Sequence, residues 1–178
     1  MIKALAVFCG SKSGNNILFE QQAIVLGHVM AKNNITLIYG GGNKGIMGAV
    51  ANAVLEKNGK VTGIIPKRLT EREVHHTGIT ELTIVEDMHI RKKMLYEKAD
   101  AAIILPGGFG TLDEMFEMLT WNQLSIHNKK IFLLNTGGFY DALIQHISIM
   151  EQQGFLYESI EHRFYILDDA HEIEKYLL

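Results

Sequence analysis

The 178-residue sequence has a single cysteine, Cys9, so no intramolecular disulfide is available to the fold. It has no apolar run near the ~20 residues that a bilayer-spanning helix needs, so no membrane insertion is expected. The N-terminal stretch from Met1 to Gly14 turns polar too soon to form the apolar core of a signal peptide, and residence in the cytoplasm is the expectation. An excess of positive charge is also missing. Lys and Arg number 17 against 20 Asp and Glu, a formal net charge of -3, which excludes the broad basic field that dominates binding to nucleic-acid polymers. A small nucleotide is the better ligand for such a surface. No internal repeat, low-complexity tract or linker divides the sequence, and residues 1–178 are expected to form one nucleotide-binding domain around one core.

Two familiar nucleotide fingerprints are absent as well. A P-loop needs G-x-x-x-x-G-K-[ST], and no glycine here is followed by that pair. A dinucleotide fold needs G-x-G-x-x-G after its first strand and an acidic residue further on, whereas the second apolar run ends in Tyr39-Gly40-Gly41. The eight histidines (His28, His75, His76, His89, His127, His146, His162 and His171) form no H-x-x-x-H pair and have no cysteine support, so no metal is expected. No cofactor is implied either.

What is present is a regular alternation. Ala4 to Phe8, Thr36 to Tyr39, Lys60 to Ile65, Leu82 to Val85, Ala101 to Leu105, Ile131 to Leu134 and Phe164 to Leu167 read as strands. Asn16 to Lys32, Gly45 to Asn58, Met88 to Lys98, Leu112 to Leu124, Phe139 to Gln152 and Ala170 to Leu178 read as helices. The strands are nearly continuous in apolar character, as a sheet covered on both faces requires. The pattern predicts an α/β fold, a Rossmann-like three-layer sandwich with a mainly parallel sheet of about seven strands. The stretch from Pro66 to Glu81 has neither period, and its charge and paired histidines predict a long exposed connection with a short helical turn.

Three glycine-rich turns follow three of the strands: Gly10 to Gly14, Gly40 to Gly45, and Gly107 to Gly110. Ligands of open α/β sheets collect at the carboxyl ends of strands, so three permissive turns there predict one crevice. The third is the most informative. In Pro106-Gly107-Gly108-Phe109-Gly110-Thr111-Leu112-Asp113-Glu114, an apolar strand leads through glycines into a helix whose first N–H groups can hold an anion. Leu112, Met115, Phe116 and Leu119 form an expected core stripe, which leaves Glu114 free of packing and directed at the ligand. Asp113, about 100° away on the helix, is read as a partner of the helix N-terminus.

Met88-His89-Ile90-Arg91-Lys92-Lys93 opens a helix behind the capping pair Glu86-Asp87. Its basic residues are either a solvated face or, through the planar fork of Arg91, a reach toward phosphate or a transition state. Cys9 is either a nucleophile or a small buried filler. Trp121, Phe109 and Tyr140 are either core or a platform for a flat base.

The segments Tyr39 to Gly48, Met88 to Lys92, and Pro106 to Glu114 with Thr120-Trp121-Asn122-Gln123-Leu124 resemble the LONELY GUY family of cytokinin riboside 5'-monophosphate phosphoribohydrolases, often labelled "lysine decarboxylase". The likeness runs from Cys9-Gly10-Ser11 to the region of Gln153-Gly154-Phe155. It implies a dimeric Rossmann-like enzyme that cleaves the N-glycosidic bond of an adenine nucleotide 5'-monophosphate. Catalysis falls to Arg91 and Glu114, and phosphate binding to Gly108, Gly110 and Thr111. Gly107, Gly41, Gly42, Ser11, Met88 and Lys92 complete the candidate binding set. Lys12 and Ser13 depart from the paired small residues of relatives at the first turn. A decarboxylase would need pyridoxal phosphate and a Schiff-base lysine, and no such site is recognisable. A non-catalytic nucleotide-binding or cofactor-carrier protein of the same fold is the alternative. Arg91 holds its proton too tightly to be the acid for a departing base, which leaves that role unfilled.

Overall fold

The computed structural model describes residues 1–70, 75–161 and 163–177. Seven strands form one parallel sheet: β1 (Ala4–Phe8), β2 (Thr36–Tyr39), β3 (Val61–Pro66), β4 (Glu81–Val85), β5 (Ala101–Ile104), β6 (Ile131–Leu134) and β7 (Phe164–Leu167). Their order across the sheet is β4-β3-β2-β1-β5-β6-β7, and every neighbouring pair is parallel. The predicted "mainly parallel" sheet is thus parallel throughout. The helices are α1 (Ile17–Lys32), α2 (Gly45–Glu56), α3 (Lys67–Thr70), α4 (Met88–Lys98), α5 (Phe109–Gln123) and α6 (Asp141–Gln152). One apolar cluster joins α1 and α2 to one face of the sheet, and a second joins α4, α5 and α6 to the other. Burial on both faces explains the unbroken apolar strands.

Caps set the helix starts where the sequence offers them. The Asn16 side chain accepts from the Leu18 N–H at the head of α1, and Asp87 accepts from His89 and Ile90 at the head of α4. Besides shifts of one or two residues at other ends, two helix starts and one helix type differ from expectation. Helix α5 starts at Phe109 rather than Leu112, because Gly108 serves as its cap without a side chain. Helix α6 starts at Asp141, because Gly137 and Gly138 take positive φ in a short 3-10 turn and Asn135 accepts from the Tyr140 N–H. Residues Ala170–Tyr176 form a 3-10 helix instead of an α-helix, and Leu178 lies outside the described residues.

The core stripe of α5 also differs. Thr111, Glu114, Met115, Met118 and Asn122 are its buried residues, while Phe116 and Leu119 line a groove shared with Ile147, Met150, Phe155 and Tyr157. The helix carries two adjacent apolar stripes, and periodicity alone does not say which one faces the sheet.

The connection after β3 begins with the expected helical turn, α3, and residues 71–74 lie outside the described residues. Beyond it, His76 is buried, not exposed. Its Nε2 meets Asn52 Oδ1 at 2.9 Å, its Nδ1 accepts from the Gly78 N–H, and its own N–H donates to the Gly41 carbonyl. Burial lowers its pKa, in keeping with a neutral ring whose two nitrogens are both engaged.

Candidate functional site

Strand order reverses between β1 and β5, and the turns that leave these two strands form the centre of the site. The Gly10 N–H donates to the Pro106 carbonyl, and the Met47 N–H donates to the Gly10 carbonyl, so all three glycine-rich turns meet there. Glycine is needed at two of the junctions. A Cβ on Gly107 would strike Thr111 and Gly10, and Gly45, at φ 60°, would place one 2.6 Å from the Lys12 backbone. At Gly108 and Gly110 a Cβ would meet nothing within 4 Å. The space over the first turn of α5 is therefore open, and the N–H groups there carry the positive end of the helix dipole.

Beside this turn lies a cavity of about 300 Å³ lined by Cys9, Gly10, Ser11, Met47, Met88, Arg91, Gly108, Phe109, Gly110, Thr111, Asp113 and Glu114. It brings together seven of the predicted residues: Ser11, Met88, Arg91, Gly108, Gly110, Thr111 and Glu114. Gly107 lines an adjoining cavity with Phe19 and Phe139. The remaining three stand outside the lining. Gly41 takes φ 80° against Ile65 and Leu82, Gly42 forms an antiparallel bridge with His75, and Lys92 is held by carboxylates on α5.

Arg91 is 7% exposed, so it is not part of a solvated face. Its Nε donates to the Ile64 carbonyl at 3.1 Å, its Nη1 lies 3.9 Å from Met88 Sδ, and the same Nη1 lies 3.7 Å from Glu114 Oε1. The last distance allows charge attraction but is too long for a hydrogen bond. Glu114 is 6% exposed. Burial pushes its carboxyl up to about 7, because desolvation outweighs the opposing pull of Arg91, while Asp113 adds to the rise. A carboxylate poised near neutrality beside a fixed cation suits proton transfer and stabilisation of developing positive charge.

Cys9, in the cavity lining, is buried, and desolvation together with the Glu114 charge pushes its thiol well above the ordinary value. That state favours a neutral filler over a nucleophile. Asp113 pairs with Lys92 at 3.1 Å instead of serving the helix N-terminus. Trp121 packs edge-on against Tyr96, and the buried Tyr140 donates to the Leu105 carbonyl, so both are structural. Phe109, 93% exposed on the cavity rim, is the aromatic group left available to a ligand among these three.

Sequence reasoning missed Gly40 and Met47. A Cβ on Gly40 would overlap the Arg91 guanidinium, so this glycine makes room for the fork. Three consecutive glycines gave no signal as to which one touches the site.

A family model described as "Possible lysine decarboxylase" matches residues 47–177. The cytokinin riboside 5'-monophosphate phosphoribohydrolase LOG1 of Arabidopsis thaliana is 41% identical over 175 residues, which cover 98% of this chain and 82% of that protein. The chain belongs to the LONELY GUY family. A bacterial LONELY GUY relative, the cytokinin riboside 5'-monophosphate phosphoribohydrolase of Rhodococcoides fascians, is 41% identical over 168 residues, covering 94% of this chain and 85% of that protein. Among solved structures, the molybdenum cofactor binding protein of Rippkaea orientalis matches with a TM-score of 0.74 over 99% of this chain and 96% of its own. At 20% identity that likeness speaks for the fold shared with the LONELY GUY chain.

Proposed function

We propose that the protein hydrolyses the N-glycosidic bond of adenine-type nucleoside 5'-monophosphates, cytokinin riboside 5'-monophosphates, AMP or both, to free base and ribose 5-phosphate. The observation that carries this reading is the buried Arg91–Glu114 pair, set beside the open N-terminus of α5 within one cavity. The phosphate takes the N–H groups at Gly108, Gly110 and Thr111. Its ribose then lies toward Glu114, with Ser11, Met88 and Phe109 on the walls. As the C1'–N9 bond breaks, the ionised Glu114 stabilises the oxocarbenium-like sugar and orients the attacking water. The water oxygen bonds to C1' and one of its protons passes to Glu114. The departing base keeps the electron pair of the broken bond and takes up a proton. With its carboxyl near 7, Glu114 releases the proton it gained at neutral pH, which supplies the acid that Arg91 does not.

The LONELY GUY relatives named above are phosphoribohydrolases, which supports the enzyme over the carrier reading. The decarboxylase description finds no support in the site, since no lysine lines the main cavity among the described residues. The protein is proposed to act in the cytoplasm as one domain per chain, without a cofactor. No helix among the described residues is long and apolar enough to cross a membrane. A homodimer is proposed from family kinship and from the exposed apolar Leu124, Ile126, Phe155 and Tyr157 near the α5 groove.

Calorimetry with a Glu114→Gln variant tests the reading. The variant is expected to bind AMP with an affinity within about tenfold of the wild type and to release no adenine. Equal adenine release by variant and wild type would overturn it.

A further inference from the structure

Lys92 follows Arg91 on α4, yet it does not line the cavity: its ammonium is held by carboxylates of α5. Its Nζ lies 3.1 Å from Asp113 Oδ2 and 3.0 Å from Glu117 Oε2, with a side chain 15% exposed. Glu117 also accepts from the Tyr96 hydroxyl, one turn further along α4. The two carboxylates stand one helical turn apart on α5 and flank Glu114, so three acidic groups crowd one stretch of that helix. We propose that Lys92 is a positioning residue: it contacts no substrate, but clamps the acidic side of α5 to α4 and offsets the charge of Asp113 and Glu117 beside Glu114. The proposal rests on the phosphoribohydrolase reading for its catalytic meaning.

The groups that face Glu114 are Arg91, Lys92 and Tyr96 from α4, Asp113 and Glu117 from α5, and Cys9 from the end of β1. Arg91 and Lys92 favour the carboxylate, whereas Asp113 and Glu117 oppose it. Burial works against the charge of Lys92, but its hydrogen bonds to Glu117 and Asp113 prevail and hold its pKa above the ordinary lysine value. Lys92 therefore remains an ammonium throughout the range in which Glu114 titrates. A compact ammonium with three rotatable donors suits the bridging of two separate carboxylates. The adjacent residues of α4 thus divide the work. Arg91 meets the reacting carboxylate, and Lys92 neutralises its neighbours.

The test compares Lys92→Met, Lys92→Arg, Asp113→Asn and the triple variant Lys92→Met/Asp113→Asn/Glu117→Gln. Two readouts are used: carbon-13 NMR titration of the Glu114 carboxyl, assigned against Glu114→Gln, and kcat and KM for AMP across pH. Lys92→Met is expected to raise the proton affinity of Glu114 about three- to tenfold. The acid limb of kcat should move by the same factor, with KM changed by less than about threefold. Lys92→Arg should keep the wild-type midpoint, and the triple variant should fall below it, because it removes two carboxylates that oppose the Glu114 charge and only one cation that favours it. A large rise in KM with an unmoved Glu114 midpoint would overturn the proposal in favour of direct substrate contact. Should Lys92→Met fail to fold, Asp113→Asn still decides, since it must lower the midpoint and an unchanged value refutes the mechanism. The NMR midpoint is read without turnover, so an inactive wild type would sink the functional reading alone.

Discussion

Arg91 Nη1 and Glu114 Oε1 lie 3.7 Å apart, with both side chains 8% exposed, although they belong to different helices, and both line one cavity. The guanidinium is held from behind by the Ile64 carbonyl and given space by Gly40. Its orientation therefore depends on β3 and the second glycine-rich turn, while Glu114 depends on α5.

Arg91→Lys is expected to lower kcat/KM about 100-fold, since a lysine keeps the charge but loses the planar fork and the bond from Nε to Ile64. Steady-state kinetics on AMP measures this. Near-wild-type activity would mean that net charge alone matters.

Gly40→Ala should act on the same group by direct overlap. The added methyl overlaps the guanidinium, and displacement of a catalytic group by about 1 Å can cost ~100-fold in rate. Circular dichroism should show a folded protein, with stability lowered by about 1 to 3 kcal/mol for overpacking.

The rate should depend on pH through Glu114. The ionised carboxylate is the working form, so kcat is expected to rise with pH and level off above about 7. Glu114→Gln should release no adenine at any pH in this range.

Stability should move in the opposite direction. The folded-state pKa of Glu114 lies above its ordinary value, so the native protein binds the extra proton, and stability falls as pH rises from 4.5 through about 7. A rise from 4.5 to about 7 at ~1.4 kcal/mol per unit makes this loss roughly 3 kcal/mol. Urea unfolding at several pH values should show a smaller decline for Glu114→Gln over that window.

The strands were legible because burial on both faces demands uninterrupted apolar runs, and all seven could be placed within a residue at each end, the β3 run needing only a one-residue shift toward Pro66. Helix starts were legible at Asn16 and Asp87, where side chains cap, and were misplaced at Gly108 and Tyr140, where no side-chain bond marks the end. In the site, Gly108, Gly110, Thr111, Arg91 and Glu114 stood out because charge and glycine sit at strand ends. Gly40, Met47 and the Lys92 clamp did not, since their roles arise from contacts between segments distant in sequence. The buried state of Glu114 was hidden as well: an acidic residue between two apolar stripes reads as exposed until the sheet and α4 close over it.

The central claim is that Glu114 drives cleavage of a nucleotide's glycosidic bond, and chromatography of reaction products tests it most directly. The purified protein, without added cofactor, is incubated with AMP, isopentenyladenosine monophosphate, adenosine and lysine, beside Glu114→Gln. The account predicts free base and ribose 5-phosphate from the monophosphates alone, with release abolished in the variant. No release from either nucleotide by folded wild-type protein would contradict it and leave a binding protein.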